Sequence, residues 1–124
     1  MHEVIIALGS NTNAATTIKS AIAALADIIT NIQPTQLLEN ESVDFIFPCT
    51  FANALVKGQT TLTFSQLETE LKKLETRFGR TKANDQKGCI LLDLDLLMYD
   101  KQKHHINDWN REYIQLLIKE LNET

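Results

Sequence analysis

Two acids two positions apart, Asp93 and Asp95 in the run Leu92-Asp93-Leu94-Asp95-Leu96, are the residues of this chain best suited to chemistry. Alternate residues of a strand project from the same face, about 7 Å apart along the chain. Both acids therefore point one way while the leucines between and beside them point the other. Two unpaired carboxylates side by side repel each other. A hard divalent cation removes that repulsion, and Mg²⁺ takes one or two protein carboxylates beside substrate phosphates. The pair suits a metal carried on a nucleotide. An isolated D-x-D is equally the wet outer face of a strand, so the surroundings have to decide between the two.

Those surroundings begin with Arg80-Thr81-Lys82, in a loop after a helix end. Arg offers planar, multi-donor contacts to phosphate and Lys a flexible point charge. Both fit a triphosphate better than an apolar ligand, although two solvated surface cations would have the same spelling. His105 and Arg111, before and within the last predicted helix, could add charge from another side, although a His exposed after the turn-like Lys101-Gln102-Lys103 reads more readily as incidental. No Ser-His or Cys-His arrangement suggests a covalent nucleophile.

Positioning these residues is the task of six or seven elements. The apolar run Val4 to Leu8, closed by Gly9-Ser10-Asn11, reads as a buried strand and a tight loop. Helical spacing of Ile18, Ala21, Ile22, Leu25, Ile28 and Ile29 predicts a first helix with Asn13 as its cap. Pro34 stops it, and Gln33 to Glu39 is expected to form an edge strand because Pro34 cannot donate to a ladder. Ser42 to Thr50 reads as a loop. A third strand is predicted over Phe51 to Lys57, ending at Gly58. In the second helix Phe64, Leu67, Leu71, Leu74 and Phe78 share one face, Thr63 with Gln66 spells a capping box, and Gly79 ends it. Arg80 to Gly88 reads as an exposed basic loop, Ile90 to Tyr99 as the strand carrying the two acids, and Asp108 to Leu121 as a final helix striped with Trp109, Tyr113, Leu117 and Leu121. Strand, helix, strand, strand, helix, strand and a closing helix is the order of a ferredoxin-like α+β sandwich, βαββαβ plus a C-terminal helix. Many functions share that fold, so the site must decide.

Composition narrows the field. With 124 residues, 44% of them hydrophobic, residues 1–124 are expected to form one domain around one core. A formal charge of −4, from 16 acidic and 12 basic residues, provides no electrostatic footprint for nucleic acid. No apolar run reaches the roughly 20 residues of a membrane-spanning helix, and the start of the chain reads as a strand rather than a leader. A cytoplasmic protein without a nucleic-acid or membrane partner is expected. Cys49 and Cys89 lack the close spacing of a zinc ribbon or redox dithiol and read as reduced thiols.

Four segments, in order, resemble the 6-hydroxymethyl-7,8-dihydropterin pyrophosphokinase family. Ile6-Ala7-Leu8-Gly9-Ser10-Asn11 is similar to its I-A-L-G-S-N opening, and Phe51-Ala52-Asn53-Ala54 to its F-L-N-A. Leu74-Glu75 through Gly79-Arg80 resembles its L-E-x-x-x-G-R, and Leu92 to Leu97 its L-D-L-D core. The resemblance implies transfer of pyrophosphate from ATP to a reduced pterin alcohol, with release of AMP, in folate biosynthesis. It implies two Mg²⁺ ions held on ATP by Asp93 and Asp95, and a pterin edge read by Asn53, with Phe51, Phe45 or Phe47 supplying a stacking ring. It also implies Glu75, Arg80, Lys82, His105 and Arg111 around the nucleotide, with Arg80 and Lys82 closing over phosphate. A homo-oligomer or an association with a neighbouring folate-pathway enzyme stays open. The departures are as informative. Where the family reads G-P-R-x-L-D-L-D, this chain has Gly88-Cys89-Ile90-Leu91-Leu92-Asp93, so Ile90 replaces an Arg and Lys87 an aromatic. The loop between the second and third strands is also unlike the family's, and family chains continue beyond the residue at which this one stops. A catalytically impaired homologue that binds nucleotide, or a ferredoxin-like small-molecule-binding module, are the competing expectations.

Overall fold

A computed structural model describes residues 1–41 and 49–122. Its elements are β1 (His2–Ser10), α1 (Ala14–Leu25), β2 (Thr30–Pro34), β3 (Leu38–Glu41), β4 (Thr50–Thr60), α2 (Phe64–Arg77), α3 (Lys82–Gln86), β5 (Asp93–Tyr99), β6 (Gln102–Lys103), α4 (Ile106–Trp109) and α5 (Glu112–Asn122). Among the described residues the strands make one antiparallel sheet in the order β2-β4-β1-β5-β6, with β3 also pairing β4. Merging β2 and β3 into one edge position recovers the ferredoxin-like order expected from the sequence.

Strand alternation sorts the apolar side chains into two cores. Val4, Ile6, Leu8, Ala54, Val56, Leu92, Leu94 and Leu96 face α1 and α2, meeting Ile18, Ala21, Leu25, Leu67, Leu71 and Leu74. Ile5, Leu55 and Leu97 face the other way, onto Trp109, Ile114, Leu117 and Leu121 of α4 and α5. The sheet is thus covered on both faces, and the second covering is shorter than the sheet. Its open end is where the site lies.

Several expected boundaries move, each for a local reason. The predicted strand Gln33 to Glu39 is two short strands separated at Thr35. There the Thr35 N–H donates to Leu55 O, and the Thr35 hydroxyl accepts the Leu55 N–H, both at 2.9 Å, so β4 keeps its ladder across the break. The third strand does not end at Gly58. A Cβ there would come within 2.3 Å of Ile29 Cγ2, so Gly58 lets the α1–β2 connection cross close over a continuing strand. Asn13 occupies the first cap position without capping: its φ of 47° is left-handed and its side chain makes no cap hydrogen bond, whereas a capping side chain needs extended backbone.

Thr63 and Gln66 do form the capping box, with Thr63 N–H donating to Gln66 Oε1 at 3.0 Å and Gln66 N–H donating to Thr63 Oγ1 at 3.2 Å. Gly79, at φ 100°, ends α2, with Gly79 N–H donating to Thr76 O and Arg80 N–H donating to Glu75 O. Both bonds of a Schellman stop are present. The expected basic loop after it contains α3, whose Thr81 hydroxyl accepts the Asn84 N–H. The acid-bearing strand starts at Asp93 rather than Ile90, and the last helix is broken after Trp109. Trp109 is the cause: its indole Nε1 donates to Leu97 O at 3.1 Å and His104 O at 3.0 Å, tying α4 to the end of β5 before α5 starts. The loop expected over Ser42 to Thr50, with Phe45 and Phe47, falls largely outside the described residues, although Thr50 already belongs to β4.

Candidate functional site

The open end of the sheet holds a cavity of about 210 Å³. Its floor is a cross-strand row. Gly9 of β1 pairs with Asn53 of β4 on one side and Asp93 of β5 on the other, and Ala7 pairs with Asp95. An amide and a carboxylate pair therefore stand on one sheet face, separated by the small residues Gly9 and Ala7. Small size matters at Gly9, where a Cβ would sit 3.1 Å from Asn53 Oδ1 and 4.0 Å from Phe51 Cδ2. Phe51, Asn40, Arg80, Ile90, Asp108, Arg111 and Tyr113 complete the wall.

Asp93 and Asp95 meet as the alternation predicts, and their surroundings differ. Asp93 accepts from Arg80 Nη1 at 3.2 Å. Asp95 shares a hydrogen bond with Asp93 and has His105 Nε2 at 3.9 Å. Burial, then the charges of Asp93 and Asp108, the hydrogen bond shared with Asp93 and the charge of Glu75, push the Asp95 carboxyl up to about 7. An acid held that high beside a second acid is the electrostatic mark of a site suited to a cation. Among the described residues no three His, Cys, Asp or Glu side chains form a ready metal cage. The donors present thus fit Mg²⁺ only as two carboxylates beside ligand oxygens, the way this ion is commonly held on nucleotides.

Arg80 links the site to α2 and α3. Its Nε donates to Asp85 Oδ1 at 2.8 Å and its Nη1 to Leu92 O at 3.2 Å as well as to Asp93. Burial pulls its pKa down, but the hydrogen bond to Asp85, the charge of Asp93 and the remaining bonds outweigh it, and the net shift is upward. Glu75 lies behind the wall rather than in it. It is buried, with Oε2 accepting the Leu94 N–H at 2.8 Å and Oε1 paired with Lys72 at 3.2 Å. Its carboxylate fixes the strand backbone between the two acids. Lys82 is exposed at the start of α3 and does not line the cavity. His105 stands at the rim, and Arg111 lines the cavity with Nε 3.4 Å from Asp108 Oδ1.

Asn53 is buried and donates from Nδ2 to Asn40 Oδ1. Asn40, Asp108 and Tyr113 are site residues that the sequence reading did not single out. Asn40 comes from the short β3, whose register against β4 no local pattern announces. The only early signal for Asp108 is its position three before Arg111. Tyr113 of the helical stripe lines the cavity as well, and burial raises its hydroxyl pKa against the lowering influence of Arg111. Ile90 lies in the wall and is buried, with its N–H donating to Asn11 Oδ1 at 2.8 Å. Asn11 Nδ2 donates in turn to Gly88 O at 2.7 Å, so the end of β1 pins the segment that leads into Asp93.

The model of the 7,8-dihydro-6-hydroxymethylpterin-pyrophosphokinase family matches residues 5–123. A folate synthesis bifunctional protein of Arabidopsis thaliana is 34% identical over 123 residues, covering 91% of this chain and 25% of that protein. The chain spans about a quarter of that relative's length.

Proposed function

The chain belongs to the 7,8-dihydro-6-hydroxymethylpterin-pyrophosphokinase family, and from that premise we propose that it transfers pyrophosphate from ATP to 6-hydroxymethyl-7,8-dihydropterin in folate biosynthesis. The observation that carries this reading is the row Asn53, Gly9, Asp93, with Asp95 beside it. It offers an amide suited to a heterocycle edge and a carboxylate pair suited to metal-bound phosphates, on one face and within one cavity.

In this reaction the pterin hydroxymethyl oxygen attacks the β-phosphorus. One O–P bond forms as the bond to the bridging α,β-oxygen breaks, AMP departs with that oxygen, and the hydroxyl proton passes to solvent. Asp93 and Asp95 would hold two Mg²⁺ ions, which neutralise phosphate charge and polarise the attacked phosphoryl group. Arg80, already anchored on Asp85 and Asp93, presents a fixed guanidinium beside the acids. Lys82, exposed at the start of α3 and outside the cavity lining, would meet phosphate only beyond the cavity, and His105 and Arg111 approach the nucleotide from the α4–α5 segment. Glu75 acts at one remove, through the Leu94 backbone. Asn53 offers a donor and an acceptor to the pterin edge, and the Phe51 and Tyr113 rings, both in the cavity lining, offer aromatic surface for stacking. Both cysteines are free thiols, and among the described residues no helix is long and apolar enough to cross a membrane.

The decisive experiment is mass spectrometry of a reaction holding purified protein, ATP, Mg²⁺ and the reduced pterin. AMP and pterin diphosphate should appear together. ATP binding without either product would establish an impaired homologue, a reading favoured by the apolar Ile90 in the wall. Absence of ATP binding would leave only a small-molecule-binding module.

A further inference from the structure

We propose that Asp108 is a positioning residue that sets the Arg111 guanidinium in place before nucleotide arrives; this rests on the function proposed above. Asp108 and Arg111 line the same cavity wall. The Asp108 carboxylate stands between two nitrogen-bearing side chains, with Oδ1 3.4 Å from Arg111 Nε and Oδ2 4.0 Å from His105 Nδ1. The backbone closes around the same group. Asp108 N–H donates to His105 O at 2.9 Å, and Arg111 N–H donates to Asp108 O at 3.1 Å. Arg111 is thus held by an ion pair to the carboxylate three residues before it, and Tyr113, whose hydroxyl pKa burial raises against the lowering influence of Arg111, lines the same cavity.

The brace has a physical purpose. An arginine has many rotamers, and ordering it when ligand binds consumes affinity. Anchoring Nε on a carboxylate removes much of that freedom in advance and sets the plane in which the terminal amino groups lie. Asp108 and Arg111 stand three residues apart, a spacing that brings side chains together over one helical turn, on a segment held to the sheet by the Trp109 indole.

Two measurements test the proposal. In ligand-free protein, ¹⁵N NMR should show an Arg111 Nε–H signal protected from exchange, and Asp108→Ala should abolish that protection. Calorimetry with Mg²⁺ and a non-hydrolysable ATP analogue should then show Asp108→Ala binding about fivefold more weakly, the upper scale of one partly exposed ion pair. Asp108→Asn, which keeps an acceptor, should lose less and serves if the alanine variant does not fold. In an Arg111→Ala background, Asp108→Ala should cause no further loss. Equal losses in both backgrounds, unchanged affinity, or tighter binding from relief of phosphate repulsion would each overturn the proposal while leaving the wild-type function intact. A wild-type chain that binds no analogue would overturn the proposed function itself, and the NMR result would then reduce Asp108 to a structural partner of Arg111.

Discussion

Replacing Asp95 with Asn should stabilise the ligand-free protein while destroying its Mg²⁺-dependent nucleotide binding. Burial, followed by the charges of Asp93 and Asp108, raises the Asp95 carboxyl to about 7. An unfolded Asp titrates near 3.9. Because the folded state holds this proton more tightly, its contribution to stability is complete below about pH 4 and is lost as pH rises through 7. A shift of about three units sets a ceiling near 4 kcal/mol. The Asp95 side chain is 26% exposed, and solvent screening together with relaxation brings the expected gain of Asp95→Asn at pH 8 to about 1–2 kcal/mol. At about 2.1 cal/mol/K per residue of unfolding entropy, that corresponds to roughly 4–8 °C in thermal midpoint for a chain of this size. The assay is thermal unfolding of wild type and variant at pH 5 and pH 8, without divalent ions. The variant's advantage should be clear at pH 8 and much smaller at pH 5. Adding Mg²⁺ and ATP analogue should raise the wild-type midpoint and leave the variant's unchanged. An advantage equal at both pH values, or a variant less stable at pH 8, would refute the electrostatic argument. Unchanged analogue affinity would refute the metal assignment.

Asn53→Ala should weaken pterin binding by about tenfold to a hundredfold, the range for a lost polar contact that leaves a buried partner unpaired, with ATP binding retained; calorimetry with each ligand separately checks it. Ile90→Arg should raise turnover by up to roughly 10²-fold, on the scale of one positioned transition-state donor, because Ile90 lies in the cavity wall and the exposed Lys87 does not. The same change removes a buried apolar side chain, so a drop of about 1–3 kcal/mol in denaturant-measured stability should accompany it. Gly79→Ala should destabilise the fold by about 1–2 kcal/mol, combining strain at φ 100° with a Cβ 2.5 Å from Leu91 Cδ1; urea denaturation reads that loss directly.

What the sequence determined by itself is whatever depends on periodicity and short-range chemistry. The period of two in Leu92 to Leu96 fixes which face carries Asp93 and Asp95, and it does so before any partner strand is known. The Thr63 box and the Gly79 stop are equally local, and both stand where they were expected. Four short segments in order were enough to place the chain in its family. The rest depended on pairs distant in sequence. The register that sets Asn53 and Asp93 on either side of Gly9 joins three strands, and a slip of one residue would turn every side chain over. Nothing near Asn40 announces its pairing with β4. The final helical stripe is interrupted after Trp109, whose indole bonds the Leu97 carbonyl, and Asp108, Arg111 and Tyr113 line the cavity on either side of that interruption. Helical and strand periods are written in consecutive residues, whereas cavity walls are set by which distant backbone groups satisfy one another's hydrogen bonds, and the chain settles that only on folding.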